Sequence, residues 1–551
     1  MLRASQINVG LLFMAALAAG IAGCGDSDGI VDPGGGAGES AGGADNVGGG
    51  GGHDSAGTSG RANGGSTGRA GDTGKAGDTG KAGDTGAGGG MSAGGGSGAA
   101  AGGSVSVGGG VASGGASAGG AGTDEGAGAG GEAGGDDEAA GAGGEAATGP
   151  GPSGGADGDL LVVSAMNVAT ENSGTRVCAD GGDAVSYSVT TLGSSVATLA
   201  AAPSAGCLNV GDEVLLINLQ GTATDSDNVG NYETLRVSSV TGAEVTFSAP
   251  KAHFYGNALN DDSNIGVDRT NQRVMVQRVP NYSSLTVTAA TTLTGSAWDG
   301  VKGGVLFVRA TGAVSIVGTV TMSGKGYDGG PTVTTENTNG SQGESFNGLG
   351  SDLSTASKGG GGGGLGDGHG CQSFGTSGGG AAYGAPGTAG SNLCSGAGGE
   401  AYGEATLLTK LMLGSGAGSG GTDNFLGDNP PGGFGGRGGG IVVILSQQLT
   451  VTGKVLAAGG DGQGDPLNEC DNGSSVTSCW DYSGPGGGGS GGSVLFKAAQ
   501  ATLGVDLVAA PGGLGSYGYP SGIGGDGSVG RIALQSSTAP LGSTMPAATL
   551  D

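Results

Sequence analysis

The sequence predicts an all-β protein, with a β-rich domain, then a glycine-rich β-solenoid-like repeat domain, and a disordered glycine-rich stalk before both. Three observations lead to this prediction. Glycine makes up 140 of the 551 residues, while aromatic residues make up only 4%. From Asp159 onward, short β-branched runs alternate with Gly, Asn and Asp breaks, as strands and turns do. Glycine-bounded units of similar sequence then recur, which is typical of stacked repeats.

Residues 1–23 read as a secretory signal. A single positive charge, Arg3, precedes the apolar run Val9–Ala19, and small residues follow. This order is typical of a signal peptide, and the run is short for a membrane span. Past this segment no second apolar stretch is long enough to cross a membrane.

The end of the signal, Ile21-Ala22-Gly23-Cys24, resembles the lipobox of bacterial lipoproteins. The resemblance implies cleavage before Cys24 and acylation there, and two or three acyl chains hold a protein stably on a membrane. Gly25 follows, where an aspartate would favour retention in an inner membrane. We therefore expect an exported, lipid-anchored protein at the outer membrane or cell surface. An ordinary signal peptide with a chance cysteine is the alternative.

Residues 24–158 are the predicted stalk. Their apolar content is too low to offset backbone entropy, so we expect disorder. Glycine recurs at every third position from Gly68 to Gly89, as in collagen. A triple helix also needs proline in the other positions, and this stretch has none. Repeat expansion within a linker is the favoured interpretation, and collagen-like assembly is the alternative.

Charge and motif content exclude two classes of partner. The net charge is −28 with only 20 basic residues, which disfavours nucleic acid. The glycine runs lack the Lys-Ser/Thr ending of a phosphate-binding loop, and none opens a helix after a strand. We therefore expect neither a nucleic acid nor a nucleotide partner.

Residues 159–300 are predicted to form an all-β domain. Thr241-Gly242-Ala243 lies between two strand-like runs and reads as a hairpin turn. The predicted strands after the initial run at Asp159 are Ala184–Leu192, Glu213–Leu219, Thr234–Val240, Glu244–Phe247, Arg273–Val279 and Ser284–Ala289.

Residues 301–537 are predicted to form the repeat domain, and residues 538–551 a flexible tail. One unit alone would expose its apolar face, so neighbouring units must stack. A β-solenoid or a stack of short hairpins satisfies this requirement. The aligned units are Gly303–Gly326, Gly439–Gly462, Gly491–Gly513 and the partial copy Val529–Ser537.

Glycine-dense runs such as Gly359–Gly364 and Gly414–Gly421 lie between the units. They could pack as extended three-fold helices bonded sideways, or they could be floppy loops. The segment Glu404–Leu413 is the one helix candidate, with apolar residues that would cap the solenoid or wedge against it.

The six cysteines beyond Cys24 predict disulfides, because an exported chain with an even number of cysteines favours them. Six cysteines permit 15 connectivities, and pairing between chain neighbours is the favoured one. A metal site is disfavoured because no pair has CxxC spacing and His53, His253 and His369 are far apart. The neighbouring cysteines are Cys178 and Cys207, Cys371 and Cys394, and Cys470 and Cys479.

The motif order from Val210 to Leu534 is similar to that of glycine-rich bacterial surface proteins, and in part to the glycine-rich extracellular region of anaplastic lymphoma kinase. The segments that carry the resemblance are Val210–Gly221, Tyr232–Val240, Val276–Tyr282, Ser296–Gly304, Gly343–Gly350, Tyr402–Gly421 and the unit that begins GGRGGGIVVI. The resemblance implies secretion and a surface or matrix role without an assigned reaction, so it assigns no catalytic residue.

Other chemistry-bearing residues are weaker candidates. His369 and Cys371 could form a Cys-His pair, but a loop histidine beside a disulfide is favoured. The acidic loops Asn260–Asn264 and Asp461–Asp471 carry oxygen ligands of the kind that Ca²⁺ prefers, although solvated loops are favoured. The candidates for sugar stacking are Trp298, Trp480, Tyr482, Tyr517 and Tyr519, each of which is more often a packing or turn residue.

The sequence therefore favours a non-enzymatic surface lipoprotein with a structural, adhesive or matrix-binding role and no required cofactor. Its predicted partners are a membrane, through the anchor, and cell-surface polysaccharide or matrix. The first alternative is a polysaccharide-degrading solenoid enzyme, which would need two carboxylates on one face. The second is a calcium-dependent carbohydrate-binding module. The acids that bear on the enzyme alternative are Asp461, Asp465, Asp481 and Asp506.

Overall fold

The computed structural model describes residues 155–174, 176–348, 356–366, 374–423, 431–464, 483–518 and 521–551. All of them belong to one compact unit, Ala129–Asp551. All the regular secondary structure within these residues is β-strand, so the all-β prediction is confirmed. The predicted signal peptide, Cys24 and the stalk up to residue 154 lie outside the described residues.

The strands of the described residues fall into two parallel sheets, one closed barrel and one small hairpin. In chain order they are β1 Asp159–Val162, β2 Met166–Asn167, β3 Ser186–Leu192, β4 Val196–Leu199, β5 Glu213–Gln220, β6 Tyr232–Thr241, β7 Glu244–Phe247, β8 Arg273–Arg278, β9 Asn281–Tyr282, β10 Ser284–Val287, β11 Thr292–Thr294, β12 Val305–Ala310, β13 Ala313–Ile316, β14 Thr319–Thr321, β15 Ile441–Val451, β16 Lys454–Leu456, β17 Ser493–Leu503, β18 Val508–Ala509, β19 Tyr517–Gly518, β20 Gly522–Ile523, β21 Arg531–Ser536, β22 Thr544–Met545 and β23 Thr549–Leu550.

The two parallel sheets form a β-solenoid. The larger sheet follows the order β1-β10-β13-β15-β17-β21-β23, with β12 beside β15 and β9, and the smaller sheet follows β2-β11-β14-β16-β18-β22. Their pairings are parallel, which distinguishes a solenoid from a stack of hairpins. The predicted repeat alignment is confirmed, because Ile441 pairs with both Val305 and Ser493, and Ser493 pairs with Arg531.

The solenoid core lies between the two sheets. Inward side chains stack in rows from rung to rung, so each rung covers the apolar face of its neighbour. One row from the larger sheet is Leu285, Val314, Leu449 and Ala501, and one from the smaller sheet is Leu293, Val320, Val455 and Val508.

A six-stranded antiparallel barrel is inserted into the solenoid. Its closed order is β3-β4-β7-β6-β5-β8. The barrel lies in the sequence between the first rung, β1 with β2, and the second rung, β10 with β11. The predicted boundary at residue 300 therefore does not coincide with the edge of either structure. A single boundary drawn in the sequence cannot describe this insertion. The first rung pairs with a strand more than a hundred residues later, as Asp159 does with Ser284.

Strand β5 explains how the barrel is held on the solenoid. All eight of its residues are buried. Val214 and Leu216 face the barrel interior, whereas Leu215 and Ile217 pack on the outer face of the larger sheet. A strand buried on both faces reads as a continuous apolar run, which is the pattern at Glu213–Gln220.

A buried ion pair joins the same two parts. The Arg309 guanidinium on β12 donates to both carboxylate oxygens of Glu213 on β5, from Nε at 2.9 Å and from Nη2 at 2.7 Å. Asn281 Nδ2 donates to Glu213 Oε2 at 3.1 Å. A bidentate pair of this kind fixes orientation as well as distance.

The glycine-dense runs that the structure describes are ordered and bonded sideways. The central segment, residues 414–422, donates backbone hydrogen bonds to three neighbouring segments and meets each of them again after three residues. That period is the period of a polyproline II helix, so the three-fold interpretation is confirmed. The donor and acceptor pairs are Gly414 with Gly439, Ala417 with Gly436 and Gly420 with Gly433; Gly416 with Glu344, Ser419 with Ser341 and Thr422 with Thr338; and Gly418 with Gly379 and Gly421 with Thr376.

We call these hydrogen-bonded segments, residues 338–344, 359–364, 376–379, 414–422, 433–439 and 484–490, the glycine bundle. They need glycine because their backbones approach one another closely. A Cβ added to Gly418 would lie closer than 3.0 Å to the carbonyl oxygen of Gly362, a separation that real Cβ atoms essentially never show. Gly420 would meet the Gly484 carbonyl in the same way. Positive φ is not the reason at these positions.

The predicted helix at Glu404–Leu413 is wrong. The structure has irregular backbone there, with φ of 56° at Leu407. The predicted wedge is nevertheless present, because Leu407, Leu411 and Leu413 are fully buried between the barrel and the larger sheet. The segment packs on two different surfaces, and tertiary contacts of this kind override a short helical pattern.

The chain end also differs from the predicted flexible tail. Within residues 538–551, β22 pairs with β18 and β23 pairs with β21. Backbone hydrogen bonds to the last rung hold these residues on the solenoid.

Candidate functional site

The larger sheet carries an exposed surface of uncharged and mostly polar side chains, which we call the polar face. It lies where β10, β13, β15 and β17 run side by side. Two rows cross these strands in register, one of Thr286, Ser315, Thr450 and Thr502 and one of Ala313, Gln448 and Gln500.

The geometry of the polar face is regular. Neighbouring strands lie about 4.8 Å apart, so the four hydroxyl groups of the first row span roughly 14 Å. Gln448, Thr450, Gln500 and Thr502 are exposed, and Thr286 and Ser315 are half-buried. Exposed leucines continue the row at both ends, Leu161 beside Thr286 and Leu541 beside Thr502. Neutral hydroxyl and amide groups at fixed spacing can hydrogen-bond a ligand that itself repeats.

A second feature is a cleft of about 160 Å³, which we call the junction cleft. It opens where the barrel, the loop before β12 and the glycine bundle meet. The lining residues are Gln220, Arg269, Arg273, Asp299, Gly300, Asp328 and Glu344.

Glu344 connects all three parts at this cleft. Its Oε1 accepts from Gln220 Nε2 at 2.9 Å, and its Oε2 accepts from Trp298 Nε1 at 2.9 Å and from the Asp328 backbone N–H at 3.0 Å. Burial raises the pKa of Glu344, and hydrogen bonds from Gln220 and Asp328 act against this rise. Both carboxylate oxygens are engaged, which is a structural use of this acid.

Arg273 is a buried cation on the barrel side of the cleft. Its Nε donates to the Gly300 carbonyl at 3.0 Å, and its Nη1 donates to the Asn271 carbonyl at 3.2 Å. Burial lowers its pKa, the carboxylates of Glu344 and Asp268 raise it, and the charge of Arg269 lowers it. Both arginines line the cleft, and the like charge of Arg269 acts against that of Arg273.

The cysteine pairing that the structure describes is local. Cys178 and Cys207 form a disulfide across a separation of 29 residues. Cys394 is also disulfide-bonded. Cys371, Cys470 and Cys479 lie outside the described residues.

The predicted calcium loops give no free ligand set in the described residues. Asp262 pairs with Lys251 at 2.6 Å and accepts from the Tyr255 N–H at 3.0 Å. Asp261 accepts from Ser263 Oγ at 2.9 Å. The second loop lies outside the described residues from residue 465 onward.

One cluster of potential metal ligands occurs in the described part of the chain. It consists of Cys178, Asp180 and Cys207. The two sulfurs are joined in the disulfide, so neither is a free thiolate ligand. Asp180 instead accepts hydrogen bonds from Ser204 and Tyr187, which lower its pKa against a small opposing effect of burial.

The predicted aromatic platforms divide between buried and exposed positions. Trp298 is 1% exposed and stacks edge-on against Tyr327, so it is a packing residue. Tyr517 is 62% exposed on a short hairpin. Trp480, Tyr482 and Tyr519 lie outside the described residues.

The described carboxylates that bear on the enzyme alternative each accept a hydrogen bond from a different part of the chain. Asp461 Oδ1 accepts from the Leu514 N–H at 2.8 Å, and Asp506 Oδ1 accepts from Ser543 Oγ at 2.8 Å. Asp465 and Asp481 lie outside the described residues.

His253 lies in a barrel loop where its backbone N–H donates to Glu233, and His53 and His369 also lie outside the described residues.

Sequence reasoning missed Arg269, Arg273 and Glu344. Arginine is scarce in this acidic chain, so the two arginines could have been singled out for that reason. The polar face had a clearer signal, because Thr450 and Thr502 occupy equivalent positions in the aligned repeats.

None of the described residues belongs to a helix with the length and hydropathy of a membrane span.

No protein-family model matches the chain, and no curated protein matches it. Three solved structures with partial similarity are phage tailspikes. The gp61 tailspike of Pseudomonas phage phi297 is 21% identical, with 24% of this chain and 18% of that chain covered and a TM-score of 0.12. The gp49 tailspike of Pseudomonas phage LKA1 is 14% identical, with 25% of each chain covered and a TM-score of 0.12.

A third tailspike is Gp54 of Acinetobacter baumannii bacteriophage AP22, in complex with A. baumannii capsular saccharide. It is 11% identical, with 69% of this chain and 59% of that chain covered and a TM-score of 0.13. The chain thus spans less than two thirds of the length of each of these tailspikes.

Proposed function

We propose that this chain is a non-enzymatic surface lipoprotein that binds polysaccharide of the cell envelope or matrix through its polar face. The lipobox-like sequence at Cys24 supports display at the outer membrane or cell surface. The resemblance to glycine-rich bacterial surface proteins supports the same location.

The polar face is the observation that carries the binding role. Sugar chains present repeated hydroxyl groups, and a flat array of Thr, Ser and Gln can donate to and accept from them. Among the described residues, the side chains of Thr450, Thr502, Gln448 and Gln500 have no protein hydrogen-bond partner. The face carries no cation that would attract an acidic polymer, so the favoured ligand is an uncharged stretch of polysaccharide.

Rigidity supports the same role. Ordered backbone hydrogen bonds tie the glycine bundle to the rungs that carry the polar face, as in the bond from Gly440 to Met322. A rigid array loses little conformational entropy on binding, and such preorganisation raises affinity.

The test is sedimentation of the full chain with a panel of insoluble neutral and acidic polysaccharides. We expect saturable binding to a neutral polymer. Thr450→Tyr places a bulky ring in the centre of the polar face and should weaken binding at least about tenfold, or about 1.4 kcal/mol. Thr319→Tyr makes the same change on the smaller sheet and should bind like the wild type.

Binding to no member of the panel, or equal binding by Thr450→Tyr, would refute this function. Release of new reducing ends from a bound polymer would instead support the enzyme alternative.

A further inference from the structure

The junction cleft carries an inference that is independent of the polar face. It lies outside the solenoid sheets and is built by three parts of the fold. A cleft of about 160 Å³ can admit one small group and not a whole polymer.

The carboxylates around the cleft already have partners. Glu344 accepts three hydrogen bonds, as described above. Asp328 is ion-paired with Arg437. Asp299 Oδ1 accepts from the backbone N–H groups of Val301 at 2.9 Å and Lys302 at 2.8 Å.

The hydrogen-bond donors of the two cleft arginines, Arg269 and Arg273, are less fully used. Arg273 is 3% exposed, and its two protein hydrogen bonds leave the terminal nitrogen Nη2 without an acceptor among the described residues. Arg269 is exposed, and no carboxylate of the described residues lies within ion-pair distance of it. The cleft therefore offers unused donors on two neighbouring cations, in a chain whose net charge is −28.

We propose that the junction cleft binds the carboxylate of a sugar acid, with Arg269 and Arg273 as its donors. Guanidinium groups match the planar, two-oxygen geometry of a carboxylate. Gln220 and the backbone at Gly300 line the same space and can contact the hydroxyl groups of the pyranose ring. The same carboxylate could come from a free sugar acid or from a uronic acid residue within a polysaccharide.

The test is calorimetric titration of the full chain with sodium glucuronate, a glucuronate-containing oligosaccharide and glucose. We expect saturable binding of at least one glucuronate ligand, weaker binding at high salt because charges are screened, and no comparable binding of glucose. Binding of the monosaccharide would identify a free sugar acid as sufficient, and binding of the oligosaccharide alone would identify a polymer.

Arg269→Gln should weaken glucuronate binding about tenfold, or about 1.4 kcal/mol. This side chain is exposed, so the variant should fold. Lys454→Gln removes the same charge from an exposed position on the smaller sheet and should bind like the wild type. Arg273→Lys keeps the charge but removes the fork, and should also weaken binding.

Glucuronate binding no tighter than glucose binding, or equal binding by Arg269→Gln and Lys454→Gln, would overturn the cleft proposal. Thr450→Tyr serves to separate the two proposals, since it should leave glucuronate binding unchanged. Arg269→Gln in turn should leave sedimentation with neutral polymer unchanged.

Discussion

At several positions in this protein, the groups packed against a residue explain which residue type stands there. Gly418 illustrates this for the backbone, because the backbone of Gly362 and Gly363 leaves no room for a Cβ. Glu344 illustrates it for side chains, because donors from three parts of the fold converge on one carboxylate.

Gly418→Ala should destabilise the protein by about 3 kcal/mol or more, since overpacking at a backbone contact forces the segments apart. The matched control is Gly193→Ala, where a Cβ would meet its nearest atom, the Val196 carbonyl oxygen, at 3.7 Å. We expect the control to lie within about 1 kcal/mol of the wild type. Chemical denaturation of both variants measures the difference, and equal midpoints would contradict the close packing.

Glu344→Gln tests the buried carboxyl through its pH dependence. Burial raises the pKa of Glu344 above its ordinary value of 4.5. The folded state then holds this proton more tightly than the unfolded state, so the stabilisation is complete below the unfolded pKa. It is lost as the pH rises through the folded pKa.

The stability of the wild type should therefore fall relative to that of Glu344→Gln as the pH rises above 4.5. Urea denaturation at a series of pH values measures this gap. A gap between the wild type and Glu344→Gln that is constant with pH would contradict burial of the charge.

At the scale of elements, two kinds of extended chain occupy one rung. Gly440 ends a glycine segment, and Ile441 begins β15 at the next residue. The change follows the side chains: strands occur where apolar residues fill the solenoid core, and glycine helices occur where backbones pack directly on one another.

Hydrogen exchange distinguishes this bundle from floppy loops. Residues 414–422 donate backbone hydrogen bonds along their length, so their amides should exchange about as slowly as those of β15. Residues 201–206, which are exposed or half-buried and belong to no strand, should exchange faster than either. Rapid exchange of residues 414–422, at the rate of residues 201–206, would show that the bundle is not stably formed.

At the scale of the whole molecule, contacts between distant residues decide the arrangement. Arg309 and Glu213 are 96 residues apart, and Gln220 and Glu344 are 124 residues apart. These contacts hold the barrel and the glycine bundle on the solenoid and create the junction cleft between them.

The sequence by itself determined the all-β class, the stacking repeats and their register. The reason is local, since alternation within each unit sets which side chains face the core, and similar units then align with one another. The same logic placed Thr450 and Thr502 in equivalent positions. Ordered three-fold packing of the glycine-dense runs was one of two interpretations that the composition left open.

Only the tertiary structure decided that the barrel interrupts the solenoid after its first rung, and that Glu404–Leu413 is an irregular wedge. It alone brought Arg273 and Glu344 to one cleft. The physical reason is that burial and pairing depend on partners far away in the sequence, and those partners leave no periodic signal in the residues themselves.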